Sequence, residues 1–143
     1  MLIEFNNKEF YTTKDLALSI IGGKWKIPII YHLLQKEVLR LSEFERLLPD
    51  INQRMLVRQL RELERDKVIE RVVYQEMPPK VEYKLTDIGK RLDNVVYAIC
   101  EWGDEFLEDL SKWLMSVSLK TKTSRYPERK ISMGACFFLE SFF

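Results

Sequence analysis

A mainly α-helical fold carrying one small β-hairpin is the class this sequence predicts, and three observations predict it. Between Asn52 and Arg65 a single helix bears two opposed stripes. Two short runs of strand composition follow it, on either side of a loop containing Pro78-Pro79. A long apolar pattern with helical spacing then begins near Thr86.

Composition narrows the classes. The chain has 143 residues, 46% hydrophobic and 31% charged, which fits one soluble globular domain with a real core. Its formal net charge is +1, so any affinity for nucleic acid must reside in a local basic patch. Two cysteines, Cys100 and Cys136, and one histidine, His32, fall short of the roughly four N/S ligands of a structural zinc site. No metal or cofactor is therefore expected, and a reducing cytoplasm suits the cysteine usage. The opening MLIEFNNKEF lacks a secretory pattern, and no window nears the ~18 apolar residues of a membrane span. Gly-rich phosphate loops, G-x-S-x-G and H-E-x-x-H are all absent and the carboxylates are scattered, so catalysis is not expected.

The elements follow in order. Residues 1–11 read as a loose arm. Thr12 or Thr13 caps a short helix, with Asp15 favourable in its first turn and Leu16, Leu18, Ile20 and Ile21 as its apolar contacts. Gly22-Gly23 ends it. A nearly buried second helix runs from Lys24 to about Lys36, with Pro28 tolerable only near its first turn and Trp25 in the core. Ser42-Glu43-Phe44-Glu45 reads as a capping box opening a short helix to about Leu48. Pro49-Asp50 turns the chain and Asn52 caps the striped helix. Leu56, Leu60 and Leu63 share one side of it; at about 100° per residue, Arg54, Arg58, Arg61 and Arg65 centre roughly 160° away. Such a helix buries one face and offers guanidinium groups to phosphate, or to an acidic protein, on the other.

Val68–Tyr74 has the β-branched and aromatic content of a strand, and Val81, Tyr83 and Leu85 alternate with Glu82 and Lys84 in a second. Short helix, turn, longer helix and hairpin together make a winged helix-turn-helix. Thr86 then caps a last helix of roughly 30 residues. Leu92, Val96, Ile99, Gly103, Phe106, Leu110 and Trp113 line its apolar face, which is too long for a small domain to cover, so a second copy is expected to cover it. Residues 1–117 thus form the DNA-binding and dimerisation domain. Residues 118–143 are a tail, basic and then apolar, flexible or packed back.

Three motifs in sequence order sharpen this. Ile21-Gly22-Gly23-Lys24-Trp25, then Gln59-Leu60-Arg61-Glu62-Leu63-Glu64, then Pro78-Pro79-Lys80-Val81-Glu82-Tyr83-Lys84-Leu85-Thr86 with Gly89, resemble the HxlR-type branch of the MarR-like winged-helix transcription regulators over about residues 12–114. The resemblance implies a homodimer on a near-palindromic operator, a response to small molecules or electrophiles, and a regulator, by default a repressor. It places Asn52 at the cap of the recognition helix, Gln53, Arg54, Val57 and Arg58 at its groove-facing start, and Lys80 at the wing tip. Many members carry a sensing Cys where this chain has Thr12, so a thiolate sensor is not expected. Members often have Gly at Lys67; a left-handed cap there costs a non-Gly residue about 1–2 kcal/mol, so the helix is expected to end differently.

In such a module Gln53 suits adenine and Arg54 or Arg58 guanine, while Arg61 reaches phosphate. Ser42 and Asn52, at helix starts, offer N–H groups to phosphate. Arg71 and Lys80 touch backbone or minor groove from the wing. A small-molecule effector would act by favouring one spacing of the paired helices, with Trp102, Phe106 and Trp25 or Tyr31 near its cleft. The competing reading is a winged-helix module for protein–protein contact, its arginines meeting an acidic partner.

Overall fold

The computed structural model describes residues 2–113; the end of the expected last helix beyond Trp113, Cys136 and the tail 118–143 lie outside the described residues, as does the side chain of Trp113. The chain divides into two compact units between Asp93 and Asn94.

The first unit opens with a correction. The expected loose arm is a hairpin, β1 (Ile3–Phe5) against β2 (Lys8–Phe10). Its two-residue turn is Asn6-Asn7, both left-handed at φ 51° and 60°. Asparagine tolerates that region and suits the right-handed twist of a tight hairpin. The Asn6 amide donates to Asp66 Oδ1 at 2.8 Å, tying the hairpin to the end of a distant helix.

Helix α1 (Thr13–Ile21) is capped by Thr12, whose hydroxyl accepts from the Asp15 N–H. Leu18 is exposed rather than packed; Ile21 is the residue α1 buries. Gly22 ends the helix, and a Cβ there would meet the Leu18 carbonyl oxygen at 2.3 Å. Helix α2 (Lys26–Lys36) starts two residues later than expected, which puts Pro28 in the first turn, where no N–H is needed. Trp25 is half-buried just ahead of α2, with the Lys24 ammonium 4.7 Å over its ring.

Residues Val38–Leu39 form a strand, β3, that the sequence did not signal. It pairs with β5 in a three-stranded antiparallel sheet of order β3-β5-β4, where β4 is Ile69–Tyr74 and β5 is Lys80–Leu85. Helix α3 (Leu41–Leu47) starts one turn position before the expected capping box. Glu43 reaches back to the Arg40 N–H at 2.8 Å, so Arg40 rather than Ser42 holds the cap position, and Ser42 is the second residue of α3, still in its first turn. Leu48 and Ile51 close the turn, with the Ile51 N–H donating to the Leu48 carbonyl. Helix α4 (Gln53–Arg65) follows.

The core gathers the apolar faces of these elements: Ile29, Ile30 and Leu33 of α2, Phe44 of α3, Leu56, Leu60 and Leu63 of α4, and Ile69 of β4, all at most 2% exposed. Phe44 meets Tyr83 of β5 edge to face at 6.2 Å.

Two further expectations change. Helix α4 does end in a left-handed residue: Lys67 has φ 63°. Val68 N–H bonds the Leu63 carbonyl and Lys67 N–H that of Glu64, the bonding of a Schellman cap, with Leu63 and Val68 buried together. The cap's hydrogen bonds and apolar contact offset the backbone strain. The long last helix is also broken. Thr86 caps only α5 (Asp87–Lys90), its hydroxyl accepting from Gly89 N–H and donating to the Lys67 carbonyl. Gly89 packs so close to Val68 that a Cβ would lie 2.1 Å from its carbonyl oxygen. Arg91 and Leu92 close the turn with bonds to Ile88 and Gly89.

The second unit carries α6 (Asp93–Trp113), whose first residue ends the preceding unit. Val96 is buried, while Val95, Ile99, Trp102 and Phe106 are exposed and step by four, three and four along the helix. Trp102 and Phe106 stack at 5.3 Å. Asn94, Val95, Ala98, Ile99 and Trp102 line an open depression of about 490 Å³. No helix among the described residues is long and apolar enough to cross a membrane.

Candidate nucleic-acid interface

The outward face of α4 is a strongly cationic surface built on a buried scaffold. Its inner leucines fix the rotation of the helix, so its other side is committed to solvent. Asn52 sets the start: its Oδ1 accepts from the Met55 N–H at 2.8 Å. From there Asn52, Gln53, Arg54, Met55, Val57, Arg58, Arg61, Glu62 and Arg65 line a shallow groove of about 770 Å³. Asn52, Gln53, Arg54, Arg58 and Arg61 are exposed and Val57 is half-buried.

The four arginines are not equivalent. Arg54 and Arg61 form no ion pair among the described residues. Arg58 Nε lies 3.1 Å from Glu62 Oε1. Arg65 Nε lies 3.0 Å from Asp66 Oδ1, and that hydrogen bond raises the Arg65 pKa. The Asp66 carboxylate itself is buried and also holds Asn6.

Glu62 has a second partner that the sequence reading missed. Lys26 of α2 places Nζ 3.2 Å from Glu62 Oε2, with its side chain only 7% exposed. Burial pushes the Glu62 carboxyl up, but the hydrogen bonds and charges of Lys26 and Arg58 outweigh it and hold the carboxyl below its usual range. The available signal was positional: Lys26 lies one helical turn before Ile29 and Ile30, on the buried side of α2.

The wing is arranged differently. β4 and β5 pair from Ile69↔Leu85 to Tyr74↔Lys80. Lys80 therefore opens β5 beside the loop. Its ammonium lies 2.7 Å from Glu82 and 4.7 Å over the Tyr74 ring. Arg40 approaches the same Glu82 oxygen at 3.6 Å. The hydrogen bond from Lys80 holds the Glu82 carboxyl below its usual range, against a smaller opposing effect of desolvation. Lys84 pairs across the strands with Glu70 at 2.7 Å. Arg71 is exposed with no ion pair among the described residues. At the tip, Met77 is 97% exposed.

Thus α4 and its cap hold Asn52, Gln53, Arg54, Arg58 and Arg61 on one surface, and Ser42, Arg71 and Lys80 stand on other elements of the same unit. Burial raises the Cys100 pKa, with Asp104 adding to it, which favours the thiol over the thiolate. No metal-holding cluster occurs among the described residues.

Comparison with known proteins gives a consistent result. A family model described as HxlR-like helix-turn-helix matches residues 20–111. The HTH-type transcriptional regulator YdeP of Bacillus subtilis (strain 168) is 49% identical over 98 residues, 68% of this chain and 76% of that protein. An HTH-type transcriptional regulator of Methanothermobacter thermautotrophicus is 45% identical over 100 residues, 70% of this chain and 76% of that protein. The solved structure of the redox regulator HypR in its reduced form matches with a TM-score of 0.67 at 44% identity, covering 71% of this chain and 99% of that one.

Proposed function

The chain belongs to the HxlR-like helix-turn-helix family, and on that premise we propose that it is a DNA-binding transcriptional regulator that reads its operator with α4. One observation carries the reading: a row of exposed polar and cationic side chains from Asn52 to Arg61 stands on a helix whose opposite face is sealed by Leu56, Leu60 and Leu63. A helix so mounted fits the major groove, about 12 Å wide, with its N-terminal residues at base edges. Gln53, Val57 and Arg58 face the bases, and Arg54 and Arg61, which hold no carboxylate among the described residues, reach phosphate. Arg71 and Lys80 approach the backbone from the wing. Ser42, in the first turn of α3, offers its hydroxyl and N–H to phosphate.

Two copies pair through α6, in this reading, along Ile99, Gly103, Phe106 and Leu110; Leu92 precedes the helix and Val96 is buried within its own chain. The exposed row of Val95, Ile99, Trp102 and Phe106 supports it, since lone proteins seldom leave such a row uncovered. Pairing sets two recognition helices about 34 Å apart, one turn of duplex, which calls for a near-palindromic site and repression by occupancy. A small-molecule effector acts by binding one spacing of the helices better than another.

The test is selection of duplexes from a random pool, followed by affinity against salt. The expected result is a near-palindromic consensus and a log–log slope of about −0.9 for each neutralised phosphate. A chain that binds no duplex, or binds all sequences alike, overturns the reading.

A further inference from the structure

We propose that Glu62, locked by the buried Lys26, is a positioning residue that aims the Arg58 guanidinium at a guanine, making Arg58 the specificity-determining arginine of α4. The proposal rests on the reading of α4 as the recognition helix.

The three side chains run from inside to outside: Lys26 is 7% exposed, Glu62 24% and Arg58 70%. Each Glu62 oxygen has its own cation, Oε2 the ammonium and Oε1 the Arg58 Nε. An ordinary pair four residues apart on a helix is weak and mobile, because both side chains swing freely. Here the carboxylate is fixed from a different element, α2, so Arg58 is tethered to the scaffold and not merely to a neighbour on its own helix.

The tether uses only Nε–H. The terminal nitrogens keep the planar fork that matches guanine O6 and N7. An arginine held in one orientation loses less freedom when it makes that two-point contact. Lys26 also solves a charge problem. A lone carboxylate one turn from a base-reading side chain would repel phosphate, and the ammonium offsets it. Arg54 and Arg61, with no such tether among the described residues, suit phosphates, which accept a cation from many directions.

The experiment uses the full chain, the tightest duplex selected from a random pool and the set of its single-base-pair variants, at two salt concentrations. Glu62→Gln keeps the shape and removes the charge; Lys26→Met removes the lock; Arg58→Lys keeps the charge and removes the fork. Each is expected to lower discrimination at the same G·C pair by about tenfold, within the range of one two-point contact. Binding to unrelated duplex should hold or tighten for Glu62→Gln, and its unfolding midpoint should stay near that of the parent. In an Arg58→Ala background, Glu62→Gln should change discrimination no further. Sequence-specific binding with discrimination untouched in Glu62→Gln overturns the proposal alone. So does an even loss across all sequences with a lowered unfolding midpoint, which marks a purely structural pair. A parent chain that binds no duplex overturns the underlying reading instead.

Discussion

Helix α4 and the wing both present basic residues, sit in one unit, and spend their charge in opposite ways. On α4, Arg54 and Arg61 face solvent without a carboxylate among the described residues. On the wing, Lys80 and Lys84 are each 2.7 Å from a carboxylate, leaving Arg71 as its unpaired cation. Counting basic residues separates the two surfaces only slightly, four on α4 against three on the wing. A cation already held by a carboxylate releases fewer counterions when it meets phosphate, so the pairing pattern ranks the helix first.

The sharpest way to break the comparison is to remove the support of the helix. Leu60 is 1% exposed, and Leu60→Ala should cost about 2–5 kcal/mol in denaturant unfolding. A much smaller loss would mean that α4 is not fixed by its inner face. Next, Arg54→Ala combined with Arg61→Ala should flatten the salt dependence of duplex binding by about two units, one for each phosphate. An unchanged slope would place both side chains off the duplex.

The wing can be pushed the other way. Glu82→Gln frees Lys80 and Arg40 from their shared carboxylate, so salt dependence should steepen by up to about one unit. Lys80→Ala should flatten it by less than about one, because that charge is already half spent on Glu82. Acid should mimic Glu82→Gln only late. The folded Glu82 pKa is depressed, so its pairing is fully present above the ordinary carboxylate value and is lost as pH falls through the lower folded value. Steepening that begins at or above the ordinary value would contradict the pairing.

The smallest effect lies at the junction of helix and wing. Lys67 holds φ 63°, and Lys67→Gly should stabilise the protein by about 0.5–1 kcal/mol in thermal unfolding. A loss instead would show that the lysine side chain outweighs its backbone strain.

Much of this was legible in the residues because it depends on short-range periodicity. The opposition of Leu56, Leu60 and Leu63 to the arginines, the Asn52 cap and the alternation of Val81, Tyr83 and Leu85 are all repeats within a turn or a pleat, and each stands where it was expected. What the residues left open were matters of distance along the chain. Strand β3 is two residues long and exists because β5 offers it an edge. The break between α5 and α6 follows from Gly89 pressing against Val68, twenty-one residues earlier in the chain. The left-handed turn at Lys67 is held by bonds back to Leu63 and Glu64.

The sequence by itself determined the succession from α1 to α4 and the β4–β5 hairpin, and the two faces of α4, because those are properties of neighbours within a few residues. Only the tertiary structure decided which charges remain available. Lys26 meets Glu62 across thirty-six positions and Asn6 meets Asp66 across sixty, and no local pattern encodes a contact between elements that meet only when the core closes.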